Sequence, residues 1–497
     1  MIACSATIDP ASTIAPVPPR LFGSFVEHMG RCVYGGVFEP GHPEADSRGL
    51  RQDVVALARE LGVRVVRYPG GNFVSGYRWE DGVGPTSQRP ERRDMAWHSI
   101  EPNTFGLDEF MAWMGQLAAE PMLAVNLGTR GAADAVNLLE YANGAPGTRY
   151  ADMRASNGHR EPYGIKLWCL GNEMDGPWQI GHKTADEYGR LAAETARAMR
   201  QTDPLVELVA CGSSGIGMPT FGSWEATVLD HCYEDVDYVS AHAYFEPAGD
   251  DRVGFLACSQ TMDKQIDGVV AACDLVAAKK HLSRRLMVSF DEWNVWYQSR
   301  FAGVDGIGWN RAPRLIEDEY SADDAVVVGG LLMSLLRHSD RVAIACLAQL
   351  VNVIAPIRAE PLVPAWRQTI FHPFALTARH ARGQVLRVDP VTPTLDSPTL
   401  GDVRAIDVVA TLDDEAGEVA VFAVNRSDTE PANVNFRTAE PYGVVDHRVI
   451  IGGPSTNPDV VVGGIRPVNG GRFSAVQLPP ASWTMLRLRR ADPSGSR

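Results

Sequence analysis

Between about residue 20 and residue 380, short β-branched, apolar runs alternate with longer segments whose apolar positions recur at helical period. Eight such runs stand out: Leu21 to Glu27, Val63 to Tyr68, Met122 to Leu127, Ile165 to Leu170, Leu208 to Gly212, Val236 to His242, Leu286 to Phe290, and Val342 to Gln349. Strand-like runs alternating with helical segments are the pattern of βα units around a parallel sheet. Thr184-Ala-Asp-Glu187 reads as a capping box ahead of an apolar face, and Ser321 before Asp323 and Asp324 reads as a similar first turn. Eight units predict an α/β fold, a (β/α)8 barrel with enlarged loops. An open doubly wound sheet shares the alternation but needs a phosphate loop. Gly71-Asn-Phe-Val-Ser-Gly76 is followed by Tyr77-Arg78 where Lys and Ser/Thr are required, and Gly212-Ser-Ser-Gly215-Ile-Gly217 has the wrong order for a dinucleotide fingerprint.

After about residue 383 the texture changes to short strand-like segments, Val419 to Val424, Val434 to Phe436 and Trp483 to Leu488, separated by Gly, Pro, Asn and Asp. That texture predicts an antiparallel β-sandwich. A strand-like Ile2 to Ile8 with a Pro-rich exit is expected to pair with this module. The expected division is a catalytic barrel over 16–383 and a sandwich built from 1–15 plus 384–497.

Composition narrows the function classes. The 497 residues are 45% hydrophobic, enough for two cored modules, and the formal net charge of -15 repels phosphate backbones and anionic membrane surfaces. Nucleic acid and membrane are therefore excluded as expected partners. Eight scattered cysteines without a C-x-x-C pair read as reduced core residues, and the N-terminus lacks a signal-peptide pattern, so a cytoplasmic protein is expected. Asn425-Arg426-Ser427 fits a glycosylation acceptor, a tripeptide that carries weight only with secretion.

Catalytic groups of a (β/α)8 barrel stand at the C-terminal ends of its strands. Here those ends are polar throughout: Glu27-His28, Arg67 and Asn72, Asn126, Asn172-Glu173, Ser213-Ser214, His242 and Tyr244, Asp291-Glu292, and Gln349 with Asn352. Amides, carboxylates, an imidazole and a phenol around one pocket suit a hydroxyl-rich ligand such as a sugar. Phe73, Tyr77, Trp79, Trp97, Trp178, Trp293, Trp296 and Trp309 are available to stack on sugar C–H faces, or to pack as ordinary core.

Glycosidic cleavage needs an acid to protonate the leaving oxygen and a second carboxylate opposite it. Glu173 on the fourth strand and Glu292 on the seventh are placed to converge across an eight-stranded ring. Whether the pair retains or inverts depends on a separation that sequence does not measure. His28 and His242 belong to no metal-binding array, so neither a metal nor a cofactor is expected. A Ser-His-Asp hydrolase lacks its G-x-S-x-G elbow. A sugar-binding barrel without chemistry, and a barrel hydrolase acting on xylosides or β-glucans, are the remaining alternatives. Arg67, ending the second strand, is the candidate cation for the nucleophile, whereas the neutral amide of Asn172 leaves Glu173 without one.

The motifs FGSFVEHMGRCVYGG, RYPGGNFVSGYRWEDGVGP, NTFGLDEFMAW, WCLGNEMDGPWQIGHKT, SAHAYF, VSFDEWNVWY and AQLVNVIAPI, in this order, resemble glycoside hydrolase family 51, the α-L-arabinofuranosidases. The resemblance implies acid/base work for Glu173, nucleophilic attack by Glu292, and retention through a covalent glycosyl-enzyme. It also implies sugar contacts from Glu27, Asn72, Asn172, Tyr244 and Gln349, with Trp97 and Trp296 as pocket walls and Arg67 and His242 in the same site. The implied substrates are terminal arabinofuranosyl residues of arabinan, arabinoxylan or their oligosaccharides, and the implied assembly is a homo-oligomer, a hexamer. Arg78 in SGYRWEDG departs from the Asn of many relatives, which leaves the catalytic pair intact and bears on that loop's substrate preference.

Overall fold

The computed structural model describes residues 1–438, 440–457, 459, 461–463 and 474–490. Eight parallel strands close into a barrel in the order of the chain: Gly23–Phe25, Val65–Tyr68, Glu120–Ala124, Leu167–Leu170, Glu207–Ala210, Tyr238–Phe245, Met287–Val295 and Val342–Leu347. Each overlaps one of the eight expected runs. The middle strands are apolar on both faces because one face fills the barrel and the other meets the helical ring; Val65, Val66, Leu167 and Trp168 are all buried. At the barrel floor Arg20 gathers the strand starts, bonding Glu120 and Glu207 at 2.7 Å each.

Two strands run well past their expected ends. The sixth and seventh run on to Phe245 and Val295, so Tyr244 and Glu292 stand within strands and not beyond their ends. Their register shifts: Ser240 pairs with Ser289 and His242 with Glu292, which leaves one extra residue in the seventh strand. Such a bulge lets two consecutive side chains address one side of the sheet. Asp291 and Glu292 both do so, reaching Arg67 at 3.8 and 2.6 Å.

The capping box is present, with Thr184 Oγ1 accepting from Glu187 N and Glu187 Oε2 accepting from Thr184 N. Ser321 caps the helix Ala322–Arg337 in the same manner. That helix is apolar nearly all round because it lies between the barrel and the C-terminal module, with the Trp483 indole laid over Gly329 so closely that a Cβ there would come within 2.3 Å of it.

The C-terminal module contains a seven-stranded sheet, running from Thr13–Pro16 through Gln384–Leu386, Ile406–Asp413, Glu418–Asn425, Ser482–Arg490 and Tyr442–Ile451 to Val461–Gly463. Opposite it, Ile2–Ile8 pairs in parallel with Ala432–Thr438, which pairs with Ala475–Leu478. Ile8, Val408, Val421, Phe436 and Leu486 form the core between the two sheets, while Val409, Phe422 and Met485, on alternate positions, face the barrel core. Parts of the 384–497 span, 464–473 and 491–497, lie outside the described residues. All eight cysteines are free and buried. Asn425 is also buried and donates to the carbonyls of Glu430 and Pro479, so it serves the fold. No helix among the described residues is long and apolar enough to cross a membrane.

Candidate active site

A cavity of about 540 Å³ opens at the C-terminal ends of the barrel strands. Glu27, Asn72, Trp97, Glu173, Tyr244, Glu292, Trp296 and Gln349 all line it, so eight residues picked from strand ends and motifs meet at one place. Arg67, Asn172 and His242 do not line it. They stand beside the lining residues and bond to them, Arg67 to Glu292, Asn172 to Asn72 and His242 to Glu173.

Arg67 is 1% exposed and donates through Nη1 to Glu292 Oε1 at 2.6 Å and through Nη2 to Asn172 Oδ1 at 2.7 Å. Tyr244 donates its hydroxyl to the other Glu292 oxygen at 2.8 Å. Burial and the Glu292 charge push the Tyr244 phenol well above its ordinary range, so it remains a donor. Two donors aimed at Glu292 ask for a carboxylate that only accepts.

Glu173 follows Gly171, whose φ is 91°, and itself has φ 43°, a left-handed conformation that costs a non-glycine residue energy and that the surrounding packing must hold. Its Oε1 meets His242 Nδ1 at 2.9 Å and its Oε2 accepts from Trp178 Nε1 at 2.8 Å. Burial raises its pKa, and the nearby Glu292 charge raises it further, against the opposing hydrogen bond from His242. His242 spans two acids, with Nε2 at 2.9 Å from Asp291 Oδ1. Burial alone would lower the imidazole's pKa, but Glu292, Asp291 and Glu173 together push it up to about 10. Burial raises the Asp291 carboxyl, yet Arg67 and His242 outweigh that and hold it below its ordinary value.

One oxygen of Glu173, one of Glu292 and a nitrogen of His242 lie within 4.8 Å of one another, the sole group among the described residues with metal-ligand spacing. Both imidazole nitrogens are already bonded to carboxylates, so this donor set is satisfied within the protein.

Glu27 also lines the cavity. Its Oε1 accepts from Phe73 N and Trp97 Nε1 at 2.9 Å each, and Gln349 Nε2 reaches Oε2 at 3.2 Å. Burial, with the Glu292 charge added, pushes its pKa up to about 8 despite those donors. Asn72 and Asn172 touch at 3.4 Å.

Of the aromatic candidates, Trp97, Trp178 and Trp296 reach the cavity; Phe73, Trp79 and Trp293 are buried in the core, and Tyr77 packs against Phe73. His28 is structural, held between Glu101 and Tyr68 at 2.8 Å each. Asn126 and Asn352 tie loops to backbone carbonyls. Sequence reasoning did not find Asp291 as the anion shared by Arg67 and His242, nor Trp178 as a donor to Glu173. The WCLGNEMDGPW motif contains Trp178, but only the folded loop turns its indole back five residues.

Comparison with known proteins gives a consistent result. The family described as α-L-arabinofuranosidase 1 domain matches residues 57–252, and that described as α-L-arabinofuranosidase C-terminal domain matches residues 291–482. An intracellular exo-α-(1→5)-L-arabinofuranosidase of Streptomyces lividans is 55% identical over 98% of this chain and 75% of its own length. An exo-α-(1→6)-L-arabinofuranosidase of Bifidobacterium longum is 49% identical over 97% of this chain and 96% of its own. Among solved structures, a family 51 α-L-arabinofuranosidase of Bifidobacterium longum superposes with a TM-score of 0.94 at 47% identity, covering 98% of this chain and 99% of that one. The barrel, the paired glutamates and these relatives together place the chain in glycoside hydrolase family 51, the α-L-arabinofuranosidases.

Proposed function

We propose that this chain releases terminal non-reducing α-L-arabinofuranosyl residues by double displacement, with Glu292 as nucleophile and Glu173 as general acid/base. The carboxylate of Glu292 attacks the anomeric carbon while Glu173 gives its proton to the departing glycosidic oxygen, forming a glycosyl ester on Glu292. Glu173, now a carboxylate, takes a proton from water as that water attacks the same carbon and Glu292 leaves. Two inversions give net retention.

The observation that carries the reading is the separation of the two carboxylates. One oxygen of each lies within 4.8 Å of the other, which supports direct attack, with carboxyls about 5 Å apart, over the separation of about 6.5–9.5 Å that an inverting pair needs for its water. Charge supports the assignment. Arg67 pairs with Asp291 and Glu292, whereas Glu173 shares His242 with Asp291 and has its pKa raised by burial and by the Glu292 charge against that hydrogen bond.

Glu292→Ala is expected to abolish turnover, with azide restoring it as the glycosyl azide of inverted configuration. Glu173→Ala is expected to spare substrates with good leaving groups, because the general-acid contribution of about 10² to 10⁴ in rate is least needed there. Near-native activity in both variants would overturn the roles. Turnover of aryl β-xyloside or β-glucan, with aryl α-L-arabinofuranoside left intact, would overturn the substrate.

The same reading includes arabinan, arabinoxylan or their oligosaccharides as the source of the sugar, and a barrel over 16–383 with a sandwich from 1–15 plus 384–497. It includes a cytoplasmic location, supported by eight free thiols and a relative named intracellular. It also includes a hexameric assembly, which light scattering tests.

A further inference from the structure

Beside the sugar cavity lies a second hollow of about 190 Å³, walled in part by Phe73, Gly76, Arg78, Arg93 and Asp94. Met95, 57% exposed, borders both hollows, so a single flexible side chain is the ridge between them. The hollow lies between the residues that hold Glu27, among them Phe73 and Trp97, and the loop that follows Glu173. The loop after the fourth strand packs on the loop after the second, where Gln179 donates to Ser75 and Ile180 sits against Gly76. A leaving group departs toward the acid, and so toward the loop that this hollow adjoins.

The charges in the hollow are unequal in what they have left to offer. Arg92 is paired with Asp81 at 2.9 Å. Asp94 is spent on the backbone of Ala96 and Trp97, and Glu101 on His28, Tyr34 and Asn103 N. Burial pushes Asp94 up to about 7, which thins its charge further. Arg78 and Arg93 have no ion-pair partner among the described residues. The Arg93 guanidinium lies 4.8 Å over the Trp309 ring, which in turn stacks on His98, and this stacking orients its donors in advance. Two arginines without an ion-pair partner among the described residues, both bordering one hollow, run against a chain of net charge -15.

We propose that this hollow is an aglycone subsite for a carboxylate, so that arabinofuranosides whose leaving sugar is a uronic acid are preferred over neutral ones. Planar guanidinium forks match a carboxylate in shape and charge, and they fit a neutral sugar ring no better than any polar side chain does. The inference rests on Glu173 and Glu292 being the catalytic pair, because that pair fixes which way the leaving group points.

The test uses the full-length enzyme and a matched pair of substrates: the α-L-arabinofuranosyl glycoside of galacturonic acid and that of its methyl ester. The acid is expected to have a kcat/KM about fivefold above the ester, the size of a good exposed charge pair. Arg78→Gln with Arg93→Gln is expected to equalise the two while leaving hydrolysis of a 4-nitrophenyl α-L-arabinofuranoside unchanged. Raising NaCl to 0.5 M, where screening extends over only about 4 Å, is expected to shrink the preference without slowing the ester. Equal rates for acid and ester in the wild type overturn the proposal, as does a preference that survives the double substitution. Failure to cleave the 4-nitrophenyl substrate at all counts instead against the catalytic pair, so the two failures are distinct.

Discussion

Replacing Tyr244 by phenylalanine removes one hydrogen bond and leaves the ring in place. The hydroxyl lost is the 2.8 Å donor to Glu292 Oε2, while Arg67 still holds Oε1 at 2.6 Å and the ring keeps its edge-on contact with Trp296 at 5.1 Å. A hydrogen bond to a charged group contributes about 1.5–3 kcal/mol. Its effect differs between the two chemical steps. During glycosylation the Glu292 charge disappears into the new ester bond, so the lost donor supported the starting state at least as much as the transition state. During deglycosylation the charge returns, and the donor supports its return. At tenfold per 1.36 kcal/mol, deglycosylation should slow about 10- to 150-fold, with little change in kcat/KM. Rapid mixing with 4-nitrophenyl α-L-arabinofuranoside should give a burst approaching one equivalent of nitrophenolate, followed by a slow steady state whose KM falls with kcat. Absence of a burst, with kcat/KM falling by the same factor as kcat, would refute both the role of Tyr244 and the two-step scheme behind it.

Glu27→Gln should flatten the pH dependence of stability. Glu27 keeps its proton up to about pH 8 in the folded chain and loses it near 4.5 when unfolded. Its contribution is therefore full below the unfolded value and is lost as pH rises through 8, at about 1.4 kcal/mol per pH unit between them. Urea midpoints at pH 5 and 8.5 should lie closer together in the variant than in the wild type, and equal gaps would remove Glu27 as the cause. Gly128→Ala would place a Cβ 2.4 Å from Ile180 O and 2.7 Å from Ser75 Cβ, prying apart the loops that carry Glu173 and the hollow beside it. A loss of about 1–3 kcal/mol in stability is expected, with kcat falling most on substrates with poor leaving groups. Thermal unfolding and a comparison of two leaving groups check this, and an unchanged ratio between the groups would show that the acid's loop did not move.

The barrel was legible because its strands are buried on both faces and therefore read as short continuous apolar runs between helical segments. Glu173 and Glu292 were legible through ordinal position, since the fourth and seventh members of a ring face each other. Asp291 was not. It lies next to Glu292 in sequence, and an unbroken strand would turn it to the opposite face; only the extra residue in the seventh strand brings both to Arg67. Arg67 and His242 were legible as polar strand ends, but that His242 spans Glu173 and Asp291 was not, because its partners depend on how the ring closes. Trp178 was visible as an aromatic residue, while its bond to Glu173 follows from a loop whose course no local pattern encodes.

The pairing of Ile2–Ile8 with Ala432–Thr438 has a consequence for how the chain is made. Ile2–Ile8 is synthesised some four hundred residues before its partner, and the barrel strand Gly23–Phe25 waits for Val342–Leu347 to close the ring. Until then each has an apolar edge open, where edge pairing with other nascent chains competes. Truncating Ile2–Ile8 would remove this hazard and at the same time expose Ala432–Thr438 in the finished protein.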